Sequence, residues 1–369
     1  SGVQAVKETL EVLNKNGEKV GVLQVRLYRP FSAKDLANAL PKTVKKIAVL
    51  DRTKEPGSEG EPLFLDVVAG LKEQGRSDIE AMKGRYGLSS KEFTPAMAKA
   101  VFDNLKSTSP KKEFTVGIKD DLTNLSLDYS SDFNISLPDV KESIFFGLGS
   151  DGTVGANKNT IKIITDREEY YGQAYFVYDS KKSGSVTESH LRFGPKPINS
   201  TYLVQKADFI GCHQFPFLFK LDILGRIKDG GTLLLNTHYS KDEVWDQLPK
   251  VVQQVIIDKH VKFYIIDAYK VADEAHMGAR INTIMQTCYF KLANVIPFEE
   301  AVADIKNAII KTYSKKGQEI VDNNIKAVDG SIANLFEVNY PKTVSSNIEM
   351  EEKVGKDAPK FIQEFTAKL

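Results

Sequence analysis

The stretch Phe145-Phe146-Gly147-Leu148-Gly149-Ser150-Asp151-Gly152-Thr153-Val154-Gly155-Ala156-Asn157-Lys158 runs from an apolar segment through the pattern Gly-x-Gly-x-x-Gly into residues with helical spacing. It reads as a strand, a tight turn and a helix that opens on Thr153. Successive glycines let a backbone approach a phosphate closely, and the exposed amides of a helix start carry partial positive charge that favours an anion. The turn is therefore expected to be an anion cradle, with Lys158 as a possible charge contact. Loop glycines satisfy the pattern often, so its weight comes from the strand before it and the helix after it. A tight strand-to-helix turn with no ligand stays open as the plainer alternative.

Downstream of the turn, apolar strand candidates recur at 174–178, 207–212, 232–235 and 262–266, with helices between several of them. Such alternation predicts a mostly parallel sheet covered on both faces. Its ligand edge should lie beyond the carboxyl ends of the strands, where the Gly147 loop, Asp179, His213, Asn236 and Asp267 would converge. The segment 298–313 has helical periodicity, the chain turns polar and charged from Tyr340, and 357–369 reads as a short helix that packs on sequence outside this chain.

Upstream the pattern is again α/β. Residues 19–26 read as a strand, 33–40 as a helix and 46–50 as a buried strand. A turn, Glu55-Pro-Gly-Ser-Glu-Gly, leads to a helix with Pro62 in its first turn. The segment 90–105 carries Phe93, Met97, Val101 and Leu105 at fourfold spacing. A polar, turn-rich passage at 128–139 separates the two regular regions.

At 369 residues the chain has room for two or three domains, each with its own core. Hydrophobic residues at 41%, charged residues at 27% and a formal charge of +1 give no global pull toward nucleic acid or anionic membrane. No run of about 18 apolar residues marks a membrane span, and the start lacks a signal pattern. Two cysteines, Cys212 and Cys288, cannot supply a four-thiolate zinc or iron-sulfur site, and both read as core thiols of a reducing, aqueous compartment, cytoplasmic or, for a eukaryotic parent, organellar. Opening on Ser1-Gly2 without an initiator Met, the chain reads as a tag remnant on a piece of something larger.

Several stretches together carry a family resemblance: Arg26-Leu-Tyr-Arg-Pro-Phe, Val49-Leu-Asp-Arg-Thr-Lys-Glu-Pro-Gly, Phe114-Thr-Val-Gly-Ile-Lys-Asp-Asp, the Gly147 loop, Leu191-Arg-Phe-Gly-Pro-Lys-Pro-Ile and Met277-Gly-Ala-Arg-Ile-Asn-Thr-Ile-Met-Gln. Over nearly its whole length the chain resembles an internal fragment of pyruvate:ferredoxin (or flavodoxin) oxidoreductase, a thiamine-dependent 2-oxoacid oxidoreductase family. The resemblance implies two consecutive α/β domains and a tail. Residues 1–135 would be a transketolase C-terminal-like domain, 136–335 a gamma-type, Rossmann-like domain with a mostly parallel sheet, and 336–369 a linker toward a downstream domain. It also implies a homodimeric parent enzyme, with other domains of the same chain as partners, that converts pyruvate to acetyl-CoA and CO2 and passes electrons to ferredoxin or flavodoxin.

The departures are equally informative. The thiamine signature, Gly-Asp-Gly with paired asparagines downstream, is absent, and the cysteine-rich ferredoxin motif is missing. Thiamine pyrophosphate, magnesium and [4Fe-4S] clusters are therefore expected in the parent and not in this piece, which should carry no catalytic residue, hold no metal and be inactive alone. The resemblance suggests coenzyme A as the ligand of the glycine turn, because the gamma-like domain closes over the coenzyme and its phosphates suit such a cradle. Gly149, Ser150, Gly152, Thr153, Asn157 and Lys158 are the assigned contacts.

Other polar residues are weighed against plainer roles. Arg280 and Asn282 open an otherwise apolar helix and read either as a ligand-edge pair or, preferably, as a cap and salt bridge. Arg192, beside His190, could pair with a phosphate, but the two read preferably as an exposed turn or domain contact. His213 and His238 each follow a strand, but no Ser or Cys nucleophile with a matching acid accompanies them, so a hydrolase is excluded. His260 and His276 lack metal-ligand spacing and read as surface residues. Arg52 and the Glu55 turn form a second strand-to-helix junction, yet Glu55, Glu59 and Glu61 would repel a phosphate, so this region reads as architectural.

Two rival functions remain. In a dinucleotide-binding dehydrogenase the Gly147 loop would hold pyrophosphate and Asp179 the ribose, although Asp179 lies further along than the usual interval of about 20 residues. In a purely structural platform neither domain would touch a small molecule.

Overall fold

In the computed structural model, all residues are described except 1, 120–121, 136–138, 179–183, 353 and 366–369. The chain divides into two compact units, one comprising 1–137 with 199–203 and the other 138–198 with 204–369.

The first unit is built on a three-stranded parallel sheet. Its elements in order are α1 (Gly2–Lys15), α2 (Ala33–Ala39), β1 (Lys46–Asp51), α3 (Pro62–Glu73), β2 (Glu80–Tyr86), α4 (Pro95–Lys106) and β3 (Glu113–Val116). Residues alternate between the two faces of the sheet. Met82, Phe114 and Val116 point to the face where Ala5 and Leu13 of α1 and Met97 and Val101 of α4 close a core. On the opposite face Val49 meets Val67 and Leu71 of α3 and Leu36 of α2. The predicted helix at 90–105 begins at Pro95, because Thr94 accepts a hydrogen bond from the Met97 amide at 3.4 Å and Pro95 suits the first turn. Segment 199–203 belongs here: Ser200 and Tyr202 donate to the Glu8 carboxylate at 2.9 and 2.8 Å. The expected strand at 19–26 does not form. An alternating sequence makes a strand only where a neighbour takes its backbone hydrogen bonds, and no described residue pairs with it.

The second unit holds a seven-stranded sheet. Its first elements are β4 (Lys141–Leu148), α5 (Thr153–Thr165), β5 (Tyr171–Tyr178), β6 (Val186–Gly194), β7 (Ala207–Cys212), α6 (Phe217–Lys220) and β8 (Ile227–Asn236). They are followed by α7 (Lys250–Asp258), β9 (Lys262–Ile266), α8 (Ala268–Glu274), α9 (Asn282–Ala293), α10 (Phe298–Tyr313), α11 (Gln318–Ser331) and β10 (Leu335–Glu337). The strand order is β10-β9-β8-β7-β4-β6-β5, with β4, β7, β8 and β9 parallel and β6 and β10 antiparallel to their neighbours. Two cores flank the sheet. One gathers Phe145, Phe209, Tyr289 and Phe290 with α5, α9 and α10, and the other gathers Ile144, Ile210, Leu233, Phe263 and Trp245.

The antiparallel β6 carries the largest correction. His190 and Arg192, expected in an exposed turn or a domain contact, are 1% and 2% exposed within it, so the exposed turn is ruled out. The strand sits between β4 and β5, so its polar residues are covered from both sides. Arg192 Nε donates to Glu142 Oε1 at 2.9 Å, and the His190 Nδ1 accepts from the Val204 amide at 3.2 Å.

Beyond β10 the chain stays on the second unit. Tyr340 stacks on Trp245 at 5.2 Å and donates to the Val261 carbonyl at 2.8 Å. The amides of Ser345 and Ser346 donate to Gln253 Oε1 at 2.9 and 3.0 Å. A short helix, α12 (Lys360–Glu364), follows, and the end of the expected 357–369 helix lies outside the described residues. Among the described residues no helix is long and apolar enough to cross a membrane.

Candidate functional site

Strand β4 leads straight into the glycine turn and α5, as the sequence reading expects. Two backbone conformations make the turn: Ser150 and Gly152 have φ of 75° and 90°, in the left-handed region that glycine enters freely. Gly152 is the residue before α5 and has no side chain with which to cap it. Asp151 supplies the cap. Its Oδ1 accepts from the Thr153 amide at 2.8 Å and its Oδ2 from the Leu148 amide at 2.7 Å, so one carboxylate ties the strand end to the helix start. The Gly149 amide donates to the Ser185 carbonyl at 2.7 Å.

The predicted berth is therefore filled at Thr153 by the protein's own anion. The open donors are one step further on: the Val154 and Gly155 amides have no hydrogen-bond partner among the described residues, and a Cβ placed on Gly155 would meet nothing within 4 Å. Gly149, Ser150, Gly152 and Lys158 are at least partly exposed around them, with the Lys158 ammonium 5.5 Å from the Phe176 ring centroid. Thr153 and Asn157 are buried beneath, at 1% and 4% exposure. Asn157 Nδ2 finds no hydrogen-bond partner there.

A polar layer runs under the turn along the carboxyl edge of the parallel strands. Thr153 Oγ1 and His213 Nδ1 share a hydrogen bond at 2.8 Å, and the His213 carbonyl accepts from Asn236 Nδ2 at 3.0 Å. Asn236 Oδ1 in turn accepts from the Ala268 amide at 3.0 Å, at the start of α8, where Asp267 caps the helix by accepting from Lys270. His213, Asn236 and Asp267 thus meet at the expected edge, but each is spent on holding a loop or a helix start. Asp179 lies outside the described residues.

Burial lowers the pKa of His213 to about 4, against the opposing pull of the Asp151 charge. An unfolded histidine titrates near 6.5. Between those two values the unfolded chain binds a proton that the folded imidazole refuses, so stability is full above pH 6.5 and falls as pH drops toward 4. The loss across that window should be about 3 kcal/mol. Urea unfolding at pH 7 and 4.5, read by the chain's single tryptophan, should show this sensitivity shrinking in His213→Gln. Identical pH dependence in the two proteins would remove His213 as its source.

Sequence reasoning undervalued Asn282. Its carboxamide lies over Gly152, whose added Cβ would come within 3.0 Å of the Asn282 Cγ. The cap and salt bridge preferred for this pair do not form. Ile281 precedes α9 without a side-chain cap, and exposed Arg280 makes no ion pair with a described residue. Only the three-dimensional return of α9 to the turn shows this, since more than a hundred residues separate the two.

The remaining candidates resolve as structure. His238 is exposed with its ring against Tyr239, His260 pairs on the surface with Asp229 at 2.8 Å, and His276 is exposed. In the first unit Asp51 accepts from the Leu63 and Phe64 amides, both at 3.1 Å, so the start of α3 is already capped. Arg52 donates to the Gly87 carbonyl at 2.6 Å. Among the described residues no cluster of His, Cys, Asp and Glu could hold a metal ion.

Topology speaks against a dinucleotide site. In that fold the strand after the glycine turn pairs with the first, whereas here β6 lies between β4 and β5. A group at the end of β5 is therefore displaced by a further strand spacing of about 4.8 Å.

Comparison with known proteins agrees with the family resemblance. Residues 142–333, more than half of the chain, match the family described as pyruvate ferredoxin/flavodoxin oxidoreductase, and residues 1–96 match pyruvate:ferredoxin oxidoreductase core domain II. The chain is 56% identical over 370 residues to a putative pyruvate-flavodoxin oxidoreductase of Synechocystis, covering 100% of this chain and 31% of that protein. It is 52% identical over 363 residues to the pyruvate:ferredoxin oxidoreductase of Moorella thermoacetica, covering 98% and 31%. Among solved structures, the pyruvate oxidoreductase subunit PORC of Thermotoga maritima aligns with a TM-score of 0.43 and 18% identity, covering 55% of this chain and 99% of that one. This chain spans about a third of the length of the curated relatives it matches. It belongs to the pyruvate ferredoxin/flavodoxin oxidoreductase family.

Proposed function

We propose that the chain is the middle portion of an enzyme that oxidatively decarboxylates pyruvate to acetyl-CoA and CO2 and passes the electrons to ferredoxin or flavodoxin. Within it, the first unit corresponds to the transketolase C-terminal-like domain, and the second is the gamma-type domain that meets coenzyme A. Thiamine pyrophosphate, magnesium and the iron-sulfur clusters sit on other domains of the same polypeptide, which works as a homodimer in the cytoplasm. The two free, buried cysteines suit that reducing compartment.

The observation that carries the coenzyme A reading is the pair of amides at Val154 and Gly155 without a partner among the described residues, with exposed Lys158 on the same helix and exposed Arg280 two residues before the Asn282 that lies over Gly152. A phosphate of the coenzyme fits those donors, with the surface atoms of Gly149, Ser150 and Gly152 beside it and Thr153 and Asn157 acting from below. Each charge-assisted contact would contribute roughly 1–3 kcal/mol. Asp151 works against a highly charged ligand, so the phosphate should sit over Gly155 and away from Thr153.

Gly155→Asp tests this cleanly, because its side chain projects into open space and leaves the packing alone. In the full-length enzyme Gly155→Asp and Arg280→Gln should each raise KM for coenzyme A about tenfold, one lost contact of this strength. KM for pyruvate and coenzyme-independent decarboxylation should hold steady. Unchanged coenzyme A kinetics in both variants would leave the second unit a supporting role only.

A further inference from the structure

We propose that the sheet of the first unit takes one further parallel β-strand between β1 and residues 19–26, supplied by the longer polypeptide and running into α1 at Gly2. This rests on the reading of the chain as the middle portion of a larger enzyme. Two open edges point to it. The amides of Gly21 to Leu27 have no hydrogen-bond partner among the described residues, although Lys19-Val-Gly-Val-Leu-Gln-Val-Arg26 has the composition of a strand. β1 stands at the edge of the sheet, with Ile47, Ala48, Val49 and Leu50 in an unbroken apolar run. Such a run belongs to an interior strand of a parallel sheet, covered on both faces and paired on both sides.

The gap has a direction. Lys106 ends α4, which leads into β3, so Glu18, held by Lys106 at 2.7 Å, lies at the amino edge of the sheet. Tyr28 Oη donates to Asp66 Oδ2 at 2.7 Å in the first half of α3, the helix that leaves the carboxyl end of β1. Residues 19–26 therefore run from the amino toward the carboxyl edge, as β1 does. α1 runs the other way. It starts at the carboxyl edge, where a Cβ on Gly2 would come within 2.6 Å of the Tyr86 ring at the end of β2. It shares a core with Ala48 and Leu50 of β1 and with Val20, so on one face it bridges the two open edges. A chain that enters α1 at Gly2 arrives from a strand parallel to β1.

One inserted strand satisfies both edges, because a strand carries a row of backbone donors and acceptors on each side. The stretches outside the described residues are each shorter than the six residues of β1. A second copy pairing through β1 would leave 19–26 open. This chain covers 31% of the relatives from Synechocystis and Moorella thermoacetica, so polypeptide outside it is available. Tethered at Gly2, such a segment meets the gap at an effective concentration of about millimolar. Covered by the α1 and α4 core on one face and the α2 and α3 core on the other, the strand should be a near-continuous apolar run of about six residues, rich in Val and Ile.

Hydrogen exchange of the full-length enzyme, read by mass spectrometry, tests the pairing. The peptide covering 21–27 should exchange about a hundredfold more slowly than the same sequence without structure. Val25→Cys, combined in turn with a single cysteine at each of the six positions before Gly2, the length of β1, identifies the occupant. Neighbouring strands about 4.8 Å apart hold paired residues within disulfide reach, so mild oxidation should cross-link at least one of these pairs within a single chain. Free exchange at 21–27, protection with no cross-link in any pair, or a cross-link between two chains would each overturn the proposal. Coenzyme A kinetics report on the other unit, so the two proposals fail separately.

Discussion

Gly147→Ala should destabilise the second unit by about 4 kcal/mol. An added Cβ would lie 2.7 Å from Thr153 Cβ, closer than real side chains approach, and 3.0 Å from Asp151 Oδ2, tighter than most real contacts. Neither neighbour can step aside freely. Thr153 is the first residue of α5, its amide tied to Asp151 and its hydroxyl to His213. Asp151 also holds the Leu148 amide, one residue from the substitution. Overpacking of this kind costs about 1–3 kcal/mol, and pulling the bracket apart leaves a buried donor or acceptor unpaired at about 1–3 kcal/mol more. Trp245 fluorescence during urea unfolding reads the loss, since the only tryptophan lies in this unit. Gly155→Ala, on the same helix but facing open space, is the control and should be neutral or slightly stabilising. A loss below about 1 kcal/mol for Gly147→Ala would mean that the turn is slack and the Asp151 bracket unimportant.

This turn also marks how far sequence reading reaches. The strand, the turn and the helix opening on Thr153 were all legible, because glycine spacing and an apolar run are local signals. The role of Asp151 was not. Its carboxylate lies inside the very pattern that suggested an anion site, and only the coordinates show it accepting from Thr153 and Leu148. His213, Asn236 and Asp267 were placed at the right edge, since strand ends follow from strand assignments. Their partners were not legible, because hydrogen bonds between loops depend on how separate strands line up. The covered position of His190 and Arg192 has a related cause: alternating polar residues normally mark a solvated face, and here His190 pairs with Glu188 on its own strand and Arg192 with Glu142 on the neighbouring one. The strand expected at 19–26 failed in the opposite sense, with a suitable composition and no neighbour to pair with.

Glu142→Ala should destabilise the second unit by about 3–5 kcal/mol, through a charge left behind and not through lost volume. Glu142 and Arg192 face each other across β4 and β6, with side chains 10% and 3% exposed and Nε to Oε1 at 2.9 Å. Gln173 Oε1 accepts from Arg192 Nη1 at 3.2 Å, and Lys228 approaches Glu142 at 3.5 Å while pairing with Asp208 at 2.9 Å. Removing the carboxylate takes away the acid 2.9 Å from a buried guanidinium, and arginine does not lose its proton to compensate. Lys228 keeps Asp208 and can turn outward, so Arg192 bears most of the cost. Removing both charges should hurt less than removing one. Glu142→Leu combined with Arg192→Met exchanges a desolvated pair for apolar contacts, which in buried settings is often neutral or stabilising. The double variant should therefore recover at least half of the loss seen in Glu142→Ala, a coupling that a double-mutant cycle on urea midpoints measures directly. Additive losses would show the two residues acting independently, with the burial of Arg192 sustained by Gln173 and its other surroundings.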